Sequence, residues 1–133
     1  MIATISIGLP IESRRRACDF YRKALGLEMV GEIDKDGMSE PLQFALDTHT
    51  RLTLIPHVGF GWMVGDIRRA PGGKSECLLT LQVETLEEVR RVFKSCIDAG
   101  AKAIEEPIQK DWGYVAIIAD PDTHLWMIAA NLW

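Results

Sequence analysis

The sequence predicts an α+β protein built from two βαβββ modules in tandem, forming a curved mixed sheet around a cup. Three observations lead there. Residues 78–133 read as one complete βαβββ unit, and residues 4–55 repeat the same order of elements. The landmarks of the two units, Leu9 with Leu81 and Gly26 with Gly100, recur at nearly equal offsets, as an internal duplication requires. Four strands and one helix leave one sheet face bare, and two such faces set side by side enclose a pocket. Module 1 covers about residues 1–56, a connector residues 57–76, and module 2 about residues 77–133.

Each element has its own signal. In residues 4–9, Ile5, Ile7 and Leu9 alternate with Thr4, Ser6 and Gly8, the period of a half-buried strand. Pro10 and Ser13 lead into a helix with the stripe Ala17, Phe20, Tyr21, Ala24 and Leu25, closed by Gly26 where a left-handed cap is wanted. Three strands follow over residues 27–33, 42–46 and 51–55, separated by turns at residues 34–37 and 47–50. The connector carries five glycines with Phe60, Trp62 and Met63 interleaved, and reads as a mobile loop with a short helical turn near residues 64–69. In the second module a strand over residues 78–83 precedes a capping box, Thr85 with Glu88, and a helix with the stripe Leu86, Val89, Val92, Phe93 and Cys96. Gly100 ends that helix, and strands over residues 101–105, 114–119 and 125–130 complete the unit.

Composition narrows the function. The 133 residues are one domain's worth, and 47% hydrophobic with 26% charged residues is ordinary for a globular chain that needs no disulfide or metal staple. No apolar run reaches membrane-spanning length and no secretory leader is recognisable, so a cytoplasmic location and no membrane partner are expected. Cys18, Cys77 and Cys96 form neither a C-x-x-C pair nor an even set. A net charge of −4 argues against nucleic acid as a partner, and the lone basic run Arg14-Arg15-Arg16 reads as a solvated helix face. Gly72-Gly73-Lys74-Ser75 lacks the earlier glycine of a phosphate loop, and no catalytic triad or dinucleotide fingerprint is present.

Two stretches resemble a known superfamily. Asp19-Phe20-Tyr21-Arg22-Lys23-Ala24-Leu25-Gly26 is similar to the F-Y-x-x-x-L-G helix of the glyoxalase / bleomycin resistance / extradiol dioxygenase proteins, also called vicinal oxygen chelate proteins. Ala119-Asp120-Pro121-Asp122-Thr123-His124-Leu125-Trp126 resembles their D-P-D-G-N/H-x-x-E segment. The resemblance implies a glyoxalase-like fold over nearly the whole chain. Metal-dependent members carry His, Glu or Gln in the first, fourth, fifth and eighth strands; the matching positions here are Ser6, Thr53, Leu78 and Met127. These are poor ligands for a divalent ion, so no metal and no cofactor are expected, and His49, His57 and His124 are too scattered to replace them.

Alternation from those positions makes Thr4, Ser6, Thr53, Ile55, Leu78, Thr80, Gln82, Leu125 and Met127 the pocket lining, with Phe60, Trp62, Trp112 and Tyr114 as stacking surfaces at its rim. The expected binding residues are therefore Ser6, Thr53, Ile55, Leu78, Thr80, Gln82, Met127, Trp62, Trp112 and Tyr114. A neutral, partly apolar lining suits a small organic ligand. The leading expectation is a metal-independent binder resembling the drug-sequestering, antibiotic-resistance members of the family, which act as homodimers. Two alternatives stand beside it: a metal-dependent lyase, isomerase or dioxygenase with altered ligands, and a catalytically silent homologue whose pocket is filled by its own side chains.

Overall fold

The computed structural model describes residues 3–132. Its elements run β1 (Ile5–Ile11), α1 (Arg14–Ala24), β2 (Glu28–Val30), β3 (Leu42–Ala45), β4 (Thr50–Pro56), α2 (His57–Val64), a 3-10 turn (Asp66–Arg68), β5 (Leu78–Gln82), α3 (Leu86–Asp98), β6 (Lys102–Lys110), β7 (Gly113–Ala119) and β8 (Leu125–Ala130). The strands form two four-stranded mixed sheets, ordered β1-β4-β3-β2 and β5-β8-β7-β6. In each, the first and last strands of the module pair in parallel and the others antiparallel, so the duplicated order of elements is a duplicated topology. The chain divides into two compact units: one through Arg22 with Gly26–Ala70, the other Lys23–Leu25 with everything from Pro71 onward.

In the first unit the Ser13 hydroxyl accepts the Arg16 amide at 3.1 Å and starts α1. Gly26 ends it at φ 62°, a conformation that glycine adopts without a Cβ clash. The α1 stripe meets one face of the sheet: Ala17, Cys18, Phe20 and Tyr21 are buried with Leu9, Ile11, Leu42, Phe44, Leu52 and Leu54. The Phe20 and Tyr21 rings meet edge to face, 5.0 Å between centroids. In the second unit Thr85 Oγ1 accepts the Glu88 amide at 3.1 Å to cap α3. Val89, Val92 and Cys96 of α3 are buried, as are Ala116, Ile118, Trp126 and Ile128 on alternate positions of β7 and β8.

Three expectations are corrected. The connector is helical earlier than its glycines suggest: α2 begins directly after β4, and only three residues near Asp66 form the expected turn. Gly61 serves close approach here, since a Cβ on it would collide with the Asp66 carboxylate, whereas one on Gly59 would make only ordinary contact with the Ile55 side chain at 3.5 Å. Packing thus outweighs the poor helix propensity of glycine. The second strand is also shorter than expected, ending at Val30 because Gly31 turns to φ 100°. Finally, Arg14 is no solvated charge: its Nη1 reaches Asp36 Oδ2 at 2.5 Å and its Nη2 donates to the Ser39 carbonyl at 2.7 Å, fastening α1 to the turn after β2. Arg15 adds a bond to the Asp36 carbonyl at 2.6 Å.

Candidate functional site

Each sheet has one face covered by its module's helix and one face without it, and register assigns every strand residue to one or the other. In the first sheet Ser6 lies opposite Arg51, Gly8 opposite Thr53, and Thr53 opposite Gln43. Ser6, Gln43, Arg51, Thr53 and Ile55 therefore stand together on the helix-free face. Their polar groups are joined in pairs. The Ser6 and Thr53 hydroxyls hydrogen-bond to each other. The Arg51 guanidinium donates to the Gln43 amide oxygen at 3.3 Å. Gly8 has no side chain to crowd them, and a Cβ there would press the Ile55 methyl at 3.2 Å.

Sequence reasoning brought Ser6, Thr53 and Ile55 to this face and missed Arg51 and Gln43. The signal was available: Arg51 precedes Thr53 by one strand period, and Gln43 is its cross-strand neighbour. Thr4, expected in the lining, is exposed ahead of β1.

The second sheet's helix-free face is different in kind. Thr80 lies opposite Met127 and Met127 opposite Ile117, while Gln82 lies opposite Ala129 and Ala129 opposite Val115. Val115, Met127 and Ala129 form a buried apolar cluster, with Ile117 and Leu132 packed on it. Met127, expected as a ligand contact, is only 8% exposed and belongs to that cluster. Leu78, Thr80 and Gln82 stay accessible along β5, and Leu125 is half-buried beside Leu78. Glu105 shares this face through its pairing with Ile117 and forms an ion pair with Lys110 at 3.1 Å.

The aromatic residues separate. Tyr114 is not at a rim: it lies on the helix side of β7, where its hydroxyl accepts from Arg90 Nε at 3.0 Å and the guanidinium carbon sits 5.3 Å from the ring centroid. Tyr114 and Ile117 are three positions apart on β7, and an odd separation puts them on opposite faces. Trp112 is partly exposed in the turn between β6 and β7. Trp62 is 86% exposed on α2 and lines an open pocket of about 280 Å³ with His57, Val58, Asp66 and Arg69. Within it Arg69 Nη1 and His57 Nδ1 are 3.0 Å apart.

The acidic D-P-D motif is structural. Asp120 is 3% exposed, and its Oδ1 accepts the amides of Asp122 at 2.8 Å and His124 at 2.9 Å, which folds the turn into β8. Thr123 there holds φ 70°, at the position where the resembling motif has glycine. Burial pushes the Cys96 thiol up to about 11, so it is an inert packing group at neutral pH.

The four positions that matched family metal ligands offer two hydroxyls bonded to each other, a leucine and a buried thioether. Neither imidazole nor carboxylate is among them, and this donor set does not fit a divalent ion. Among the described residues no group of three or more His, Cys, Asp or Glu side chains gathers to hold a metal. No described helix is long and apolar enough to cross a membrane.

Comparisons with known proteins agree with this architecture. A hypothetical protein from S. aureus superposes with a TM-score of 0.80 at 24% identity, over 98% of this chain and 95% of that one. A glyoxalase-related enzyme from Fulvimarina pelagi gives 0.79 at 20% identity, over 98% and 89% of the two chains. A glyoxalase/bleomycin resistance protein/dioxygenase family enzyme from Burkholderia phytofirmans gives 0.78 at 19% identity, over 96% and 97%. At these identities the likeness establishes the fold alone. No curated protein matches the chain. The sequence pattern of the Glyoxalase/Bleomycin resistance protein/Dioxygenase superfamily matches residues 5–128, and the chain therefore belongs to that superfamily.

Proposed function

We propose that this protein binds a small organic molecule without a metal ion, using the helix-free face of its first sheet as the contact surface. The observation that carries the reading is the pairing of Ser6 with Thr53 and of Arg51 with Gln43 on one face, where hydroxyl, amide and guanidinium groups stand beside Ile55. A few fixed polar groups on an apolar support orient an organic ligand, and apolar burial supplies its affinity. On the second sheet Leu78, Thr80 and Gln82 are a separate accessible strip along β5, one apolar and two polar side chains. The protein acts as a homodimer in this reading, in the manner of the drug-sequestering proteins it resembles.

Thermal unfolding of the full chain against a panel of aromatic metabolites and antibiotics tests the proposal. A ligand at a hundred times its dissociation constant adds about 2.7 kcal/mol, a readily measured rise in midpoint. The expected result is a saturable shift that survives chelator. A panel without effect favours the second reading, a silent homologue, for which the burial of Met127 against Val115 and Ala129 speaks.

A further inference from the structure

The geometry points to an organic acid as the ligand class, its carboxylate taken by Arg51; this deepens the binding proposal and rests on it. Arg51 lies in the middle of the sheet, flanked on both sides by paired strands, and its side chain is half-buried. Its described hydrogen-bond partner is neutral: the Gln43 amide oxygen orients one arm of the guanidinium and leaves its charge uncompensated. Other arginines in the same unit are spent on acids or carbonyls, Arg14 on Asp36 and Glu40 and Arg16 on Glu12. Register places one acid in the row of Arg51, Glu28, with Ala45 between them, and among the described residues these two form no ion pair. A chain of net charge −4 thus presents an unneutralised guanidinium on a face otherwise made of hydroxyls, an amide and aliphatic groups.

A guanidinium fork matches a carboxylate with two parallel hydrogen bonds, and a partly desolvated position strengthens them. Ser6 lies directly opposite Arg51 and Thr53 one strand period along β4, and their hydroxyls can donate to the same anion or to a neighbouring carbonyl. Ile55 and the bare backbone at Gly8 give the ligand's apolar body a surface to lie on. Inorganic phosphate would satisfy the charge but not this surface, so an acid with a hydrophobic body is the class that uses both.

Titration calorimetry on the full chain with matched aromatic acids and their primary amides, and with inorganic phosphate alone, tests the assignment. The acids are expected to bind at least about tenfold more tightly than their amides, since hydrogen bonds to a charged group exceed neutral ones by that much. Phosphate alone is expected to bind negligibly. R51Q should bring acid binding down to the level of the amides and so erase the preference, and R51K, which keeps the charge but loses the fork, should retain only part of it. Amides binding as well as acids would overturn the assignment and leave the binding proposal standing. Phosphate binding as tightly as the acids would overturn the organic class. A panel in which neither acid nor amide binds would overturn both.

Discussion

The two modules share strand order, pairing direction and helix placement, yet the centres of their helix-free faces differ in character. The first carries Ser6, Thr53, Arg51 and Gln43, tied in pairs and half-exposed; the second carries Val115, Met127 and Ala129, buried beneath Ile117 and Leu132. The difference teaches where the duplication is constrained. Helix-side positions must be apolar in both copies, because each sheet is held to its helix by that layer: Leu52, Leu54 and Phe44 in one, Ile118, Trp126 and Ile128 in the other. The free face has no such requirement: the first copy carries hydrogen-bonding side chains at its centre, and the second carries an aliphatic cluster on β7 and β8, with Thr80, Gln82 and Glu105 on the flanking strands. Equal topology is not equal function.

The comparison breaks most readily by exchanging character between the faces. Val115→Asp puts a carboxylate into a fully buried apolar cluster and is expected to cost more than about 4 kcal/mol, enough to abolish cooperative unfolding in urea. Thr53→Asp, at the half-exposed counterpart beside Arg51, should cost under about 1.5 kcal/mol. Similar losses at both sites would contradict the contrast. On the helix side the copies should agree: Leu52→Ala and Ile128→Ala, both essentially inaccessible, are each expected to lower stability by about 2–5 kcal/mol in denaturant titrations.

A finer test concerns α2, which has no counterpart among the described residues of the second module. Gly61→Ala drives a methyl into the Asp66 carboxylate and should destabilise by about 1–3 kcal/mol, whereas Gly59→Ala finds ordinary contact and should gain up to about 1 kcal/mol in helix propensity. Equal effects would mean that the glycines serve flexibility instead of approach.

The smallest effect is electrostatic and confined to the first module. The Met38 amide, followed by Arg14, holds the Asp36 carboxyl below its ordinary value. A depressed carboxyl stabilises the fold above its unfolded value and loses that contribution as pH falls through its folded one. Wild type should therefore melt slightly above Asp36→Asn at pH 7, with the gap closing below about pH 4. A gap that persists in acid would assign the effect to packing.

Much of this was legible in the sequence because local signals agreed with the fold. Alternation in residues 4–9, the stripe through Phe20 and Tyr21, the Thr85 cap and the glycines at residues 26 and 100 each name an element that the structure contains. The site was read less completely. The resemblance pointed to Ser6 and Thr53 and alternation extended them to Thr80; the same alternation reaches Arg51 from Thr53 and was not applied, whereas Gln43 emerges only once strands are paired, since cross-strand neighbours are separated in sequence. Tyr114 was misplaced because its strand is apolar on both faces, which hides the parity that alternation depends on. Met127 was placed on the correct face, yet its burial depends on Val115 and Ala129, contacts that spacing alone does not reveal. The α2 helix was misjudged for the opposite reason: glycine count outweighed the specific contact of Gly61 at Asp66.

The account turns on whether binding needs an ion. Elemental analysis of the protein purified without chelator is the most direct measurement. Metal far below one equivalent per chain is the predicted result, because hydroxyls bonded to each other, a leucine and a buried thioether stand where ligands would be. A stoichiometric zinc, nickel, iron or manganese ion, retained through gel filtration, would contradict it.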